Sequence, residues 1–362
     1  MNKVNQDAGS NTEKNENEIQ SRDTVGLTQK QIIVKRFVKH KAAMGSLFGL
    51  IFIFIFVFTA TGLQFGNSQN PTTVPGWWKY KITDIDPEGA IAASCNGGVT
   101  GCPTLDIVPS FFDGDGIKIG EHPFGTDIIG TDYFALVVRG AQQSILVMLI
   151  VGFLGIVLGT TIGAIAGFYG GLVDAVLMRI TDMFLVTPAL IIGSVIGYRF
   201  GNFGVIPLAL LLGFFAWMGL ARFVRTEFLT LREREFVDAA RVAGASDRRI
   251  IFKHILPNAM GIIIVSGTLL ASGAILAESA LSYLGFGVKP PDVSLGLLIS
   301  QYQDSFSISP WLFWWPGTLI VSIALFVNFI GDGLRDAFDP RQRRHISFKD
   351  RRNAKELNGK RS

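Results

Sequence analysis

Polar stretches in this chain are separated by six long apolar runs, roughly Ala42–Thr61, Ser144–Phe168, Ile180–Tyr198, Val205–Ala221, Ala259–Ala280 and Trp311–Ile330. A run of about 20 residues is long enough to cross a hydrocarbon core ~30 Å thick as a helix. The third run contains Pro188, with Arg179 and Asp182 at its start. Proline is tolerated in a buried span because neighbouring helices satisfy the carbonyl it frees. The first run follows 41 mostly polar residues and is 20 residues long, whereas the apolar core of a signal peptide has about 7–15. It is read as a retained anchor. The expected fold is therefore all-α and polytopic, with six transmembrane helices. Its organisation is a tail over 1–41, a first span over 42–61, a loop or small subdomain over 62–137, a five-helix domain over 138–331 carrying the loop 222–258, and a basic tail over 332–362. Residues 1–30 lack apolar periodicity and are expected to be disordered.

Composition agrees with this pattern. Hydrophobic residues make up 49% and charged residues 17%, against about 25% charged in a soluble domain. A soluble enzyme, a disordered tail protein and a collagen-like chain are excluded. The charges also orient the spans. Met1–Lys41 holds eight Lys/Arg, the loop Arg222–Asn258 eight, and the segment from Gly331 ten, while Gly62–Gln143 holds four against nine Asp/Glu. The positive-inside rule then places both termini in the cytoplasm. Trp311, Trp314 and Trp315 open the sixth run, Trp217 lies near the inner end of the fourth, and Trp77 and Trp78 lie in the outer loop, so none falls mid-span, in keeping with the preference of indole for the headgroup layer. The basic tail fits retention at an anionic lipid surface, not nucleic-acid binding.

Two Cys and four His supply neither a zinc cluster nor a disulfide scaffold. Cys95 and Cys102 lie in the outer loop, on the oxidising side. A disulfide closing that short loop is the favoured reading, and two free thiols are the alternative. No phosphate-cradling G-x-x-x-x-G-K-[ST], no H-E-x-x-H and no G-x-S-x-G is present, so no catalytic residue, cofactor or metal is expected. Glu278 is the acid well inside a predicted span. Water or a helix partner can satisfy it; the contrasting reading is a relay of an ion-coupled carrier.

The stretch Arg232–Pro257 reads as two short helices with a break. Glu233–Ala243 is rich in helix formers, Gly244 suits the left-handed residue that ends a helix, and Ser246 can cap the next one with Asp247 in its first turn. Phe236, Val237, Ala240 and Ala243 recur at helical spacing, a face that either packs on this chain's own span ends or docks into a partner. In the second span, Gly155, Gly159, Gly163 and Gly167 form a smooth stripe that lets another helix approach closely, within this chain or from a second subunit.

Asp238-Ala239-Ala240, Gly244 and Leu256-Pro257 resemble the cytoplasmic EAA loop of ABC-importer permease subunits. His122-Pro-Phe-Gly125-Thr-Asp127, Arg139-Gly140-Ala141, Tyr169-Gly-Gly171, Ile255-Leu-Pro-Asn258, Leu281-Ser-Tyr-Leu-Gly285 and Gly331-Asp-Gly-Leu-Arg-Asp-Ala-Phe-Asp-Pro340 are similar to the dipeptide/oligopeptide/nickel branch. Asp238 stands where that family usually has Glu. The resemblance implies a permease without enzymatic activity of its own. It would work with a second homologous permease, two ATP-binding subunits and an extracytoplasmic substrate-binding protein. It also implies that the loop bearing Asp238, Ala239, Ala240, Arg241, Gly244, Ser246, Leu256 and Pro257 docks on the ATPase, with Arg241, Arg248 and Arg249 either facing its acids or solvated. The cargo would be di- or oligopeptides, with nickel or another small solute as alternatives. An ion-coupled carrier and a sensory membrane protein are the rival classes, and substrate-contacting residues are not legible.

Overall fold

The computed structural model describes residues 29–65, 72–85, 101–106 and 118–338. The expectations for the first 28 residues, for Cys95 and for the tail beyond 338 lie outside them. Cys102 is disulfide-bonded.

The described residues form eleven α-helices. A short α1 (Gln29–Lys39) precedes the first span, α2 (Lys41–Ala60). They are separated at His40, whose Nδ1 accepts the Ala43 N–H at 3.1 Å and so caps α2. α2 is apolar all round. Phe48, Phe52 and Ile55 face outward, while Ala43 and Val57 are buried, and Gly49 leaves room for the Phe326 ring. Short strand pairs follow, Leu63–Phe65 with Thr72–Val74 and Leu105–Asp106 with Lys118–Ile119, both antiparallel.

α3 (Tyr133–Tyr169) has 37 residues, about 55 Å of helix. It begins eleven residues before the predicted span, inside what was expected to be loop. Asp132 explains the early start. Its Oδ2 accepts the Ala135 N–H at 2.9 Å and the Trp78 indole N–H at 2.7 Å, and its Oδ1 lies 2.9 Å from His122 Nδ1. The His122–Asp127 motif thus braces the Asp132 cap of this helix, with the Gly125 carbonyl accepting the Tyr133 N–H at 3.0 Å. Asp127 accepts the Ile129 and Thr131 N–H groups and, at 3.1 Å, the Tyr302 hydroxyl. Burial, with the Asp127 charge beside it, holds the Tyr302 phenol above its ordinary range, so it stays a donor.

The third predicted span is corrected. α4 (Gly171–Val186) and α5 (Ala189–Phe200), with a 3-10 turn to Phe203, are bent by 77° rather than forming one straight helix. Thr187 is extended at φ −79°, ψ 124°, the conformation that a following proline imposes. The fourth is longer than predicted and broken. α6 (Val205–Phe214) and α7 (Met218–Arg232) flank a turn at residues 215–217. Trp217 sits in that turn, 7% exposed against Leu158 and Ile162, so it is a packing residue and not a headgroup anchor.

After α8 (Glu235–Val242), α9 runs unbroken from Asp247–Tyr283. The expected separate helix before Pro257 does not exist. Instead the backbone widens to a π turn over Ile250–Ile255, and the Leu256 N–H bonds to the Ile251 carbonyl. Proline at 257 cannot donate to residue 253 and clashes with its carbonyl, and the wider turn absorbs that conflict. α10 (Leu295–Tyr302) is a short buried helix between α9 and α11 (Trp311–Phe338). Pro316 within α11 frees the Leu312 carbonyl, which the Tyr133 hydroxyl occupies. Among the described residues five helices are long and apolar enough to cross a membrane, and the bent pair makes up to six.

Candidate functional site

The loop at one end of the bundle carries the best-defined surface. α8 starts at Arg234, which is extended and makes no side-chain cap. Glu235 and Asp238 lie in its first turn and Arg241 in its last, each favoured by the helix dipole there. Its end is a Schellman turn. The Ala245 N–H bonds to the Ala240 carbonyl at 3.0 Å, the Gly244 N–H to that of Arg241 at 2.9 Å, and Gly244 has φ +76°. Ser246 occupies the N-cap position of α9, but its side chain makes no capping bond, contrary to the expectation from sequence.

The two sides of α8 differ. Val237 is 0% exposed and Ala240 is buried, in one apolar cluster with Ile250, Ile255, Ala259 and Ile263 of α9, Ala164 and Phe168 of α3, and Leu220, Val224 and Phe228 of α7. Ala245 and Leu256 pack against the same cluster. The opposite side is open. Val242 is 90% and Phe252 67% exposed, and Phe236, Asp238, Ala239, Arg241, Ala243, Gly244, Ser246 and Pro257 also face out. A side chain added at Gly244 would meet no atom within 4 Å. Asp238 and Arg241 pair at 3.4 Å, both well exposed, a contact worth little by itself. Sequence reasoning left two readings of this face open; Val237 and Ala240 pack on this chain's own helices, while Phe236 and Ala243 face out. It did not single out Val242 or Phe252. The signal for Val242 was its place five residues after Val237, about 140° around the helix from the buried side.

This platform is joined tightly to the bundle. The glycine stripe of α3 faces α7 and α9 of the same chain. A Cβ at Gly155 would press on Leu270, at Gly159 on Leu220 and the Trp217 carbonyl, at Gly163 on the Ala221 carbonyl and Val224, and at Gly167 on Phe228 and the Arg225 carbonyl. Arg232 at the end of α7 donates to the Phe168 carbonyl at 3.1 Å, closing the end of α3. Arg225 grips Asp174 of α4 through two nitrogens, and Arg222 pairs with Asp182. Among the described residues no cluster of His, Cys, Asp and Glu suits a metal.

Residues 159–344 match the family model described as binding-protein-dependent transport system inner membrane component, and residues 28–75 that of the N-terminal TM domain of oligopeptide transport permease C. The oligopeptide transport system permease protein OppC of Mycobacterium bovis is 36% identical over 317 residues, covering 87% of this chain and 96% of the relative. The protein of that name from Haemophilus influenzae is 35% identical over 309 residues, 85% of this chain and 88% of its own. A chain of an inward-facing MetNI methionine ABC transporter aligns with TM-score 0.47 and 21% identity over 56% of this chain and 96% of its own.

Proposed function

Since the chain belongs to the family of binding-protein-dependent transport system inner membrane components, we propose that it is the oligopeptide permease subunit of a bacterial ATP-driven importer, resident in the inner membrane. It pairs with a second permease and with ATPase subunits, and it does not itself hydrolyse ATP. An extracytoplasmic binding protein delivers peptide to it, and anionic lipid holds the basic termini.

The open side of α8 is the dock for an ATPase subunit. Phe236, Ala239, Val242 and Phe252 present the apolar contact. Gly244 keeps the turn free of a side chain, and Asp238, Arg241, Arg248 and Arg249 ring the contact with charge. The observation that carries this reading is the single cluster joining Val237 and Ala240 to α3, α7 and α9. A load applied to the open side of α8 passes directly into three membrane helices. Closure of the ATPases on ATP would then tilt those helices as a body, a domain closure read out across an interface.

The test is a photo-crosslinking amino acid at Val242 in the assembled complex. Crosslinking to an ATPase subunit is expected, with a yield that changes between ATP-bound and nucleotide-free states. Crosslinking confined to this chain or to lipid would refute the docking assignment.

A further inference from the structure

Glu278 carries a buried carboxyl group that the coupling surface does not use. It is 1% exposed and sits in α9 near the end of the bundle remote from α8. Its hydrogen-bond donors come from two directions. The Leu295 N–H donates to Ser144 Oγ at 3.3 Å, and Ser144 donates to Glu278 Oε2 at 2.9 Å. The Leu297 N–H donates to Ser294 Oγ at 3.2 Å, Ser294 to Ser282 Oγ at 3.1 Å, and Ser282 to Glu278 Oε1 at 2.6 Å. The Val288 N–H also donates to Ser282 Oγ, at 3.1 Å.

These relays run one way. A hydroxyl has one proton and two lone pairs. Ser282 therefore receives two bonds and has one proton to give, and Glu278 takes it. Both relays begin at N–H groups in the first turn of α10, donors that a helix start leaves without intrahelical partners. Both finish on a group that accepts through each of its oxygens. The carboxyl group thereby serves, one or two hydroxyls removed, as the acceptor at the positive end of α10. Around the relay the backbones touch. A Cβ at Gly296 would overlap the Ser279 backbone, and one at Gly140 would lie 3.1 Å from the Ser294 carbonyl carbon. Gln143 of α3 adds a second clamp, accepting the Val293 N–H at 2.9 Å and donating to Asp292 at 3.0 Å.

We propose that Glu278 is a positioning residue for transport, whose carboxyl group, through the serines bonded to it, holds α10 and the connection 284–294 shut against α3 and α9. It acts through the serines and not on cargo. The proposal rests on the importer reading for its effect on peptide uptake alone.

Glu278→Gln keeps the shape but turns one acceptor into a donor, so one serine proton loses its partner. Leu297, buried in α10, is the reporter. In the whole complex in lipid nanodiscs, a Leu297→Cys chain is labelled with a hydrophilic maleimide with and without Glu278→Gln, and Ile323→Cys in the α11 core serves as control. Labelling at 297 should rise about tenfold or more, as expected when a buried hydroxyl is orphaned and local opening becomes easier. The control should not change, and peptide uptake should fall. Adding Ser144→Ala should raise the rate by less than the product of the two single effects, because both act on the same carboxyl group. An unchanged rate at 297, an equal rise at 323, or multiplying effects of the two substitutions would overturn the proposal. Absence of peptide transport in the unsubstituted complex would count against the importer reading alone, since the labelling ratio does not depend on cargo.

Discussion

Gly244→Asp separates the fold of the loop from its docking. In the chain by itself the substitution has two costs that the structure bounds. Gly244 has φ +76°, and a non-glycine residue there costs roughly 1–2 kcal/mol, with Asp among the better tolerated. A Cβ meets nothing within 4 Å, so no steric cost is added. Against a typical stability of about 5–15 kcal/mol the chain still folds. In the docked state the same carboxylate enters an interface without a partner. An uncompensated buried charge costs about 3–5 kcal/mol, which lowers the affinity for the ATPase by roughly a hundredfold to a few thousandfold. The assay titrates purified ATPase subunit onto the permease in nanodiscs and follows peptide-stimulated ATP hydrolysis. Gly244→Ala carries the backbone strain without the charge and should stay within about tenfold of the parent. Equal behaviour of the two variants would reduce the effect to backbone strain. Parent-like affinity in Gly244→Asp would refute the dock.

Further substitutions test the parts that support this surface. Gly163→Leu should lower the amount of folded protein in membranes, because its Cβ meets the Ala221 carbonyl and Val224. Overpacking against backbone costs about 1–3 kcal/mol or more, and thermal unfolding in detergent gives the number; Ile165→Leu, on the exposed side of α3, should be neutral. Asp132→Asn should destabilise the opposite end by about 1–3 kcal/mol, since one of the acceptors serving Ala135, Trp78 and His122 becomes a donor. Tryptophan fluorescence during unfolding would report the loosening of Trp78, and an unchanged midpoint would show that the cap contributes nothing.

Much of the architecture was legible because it is a property of local composition. The apolar runs and the Lys/Arg bias need no knowledge of neighbours, since lipid acts on each segment separately. The left-handed Gly244 was legible for a similar reason, as the turn is closed by bonds within six residues. Pro188 and Pro257 were visible, but their consequences were not. One bends a span by 77° and the other is absorbed in a π turn, and the packing around each helix determines which occurs. The glycine stripe showed that some helix comes close; that it is α7 and α9 of this chain depends on contacts 58 to 115 residues away in sequence. Glu278 likewise reads as a lone acid until the fold brings Ser144 and Ser294 from other segments to meet it. By itself the sequence determined which segments are apolar enough to cross a membrane and where Gly244 turns the chain. Tertiary structure alone decided which face of each helix is covered, because that depends on partners distant in the chain whose arrival no local pattern encodes.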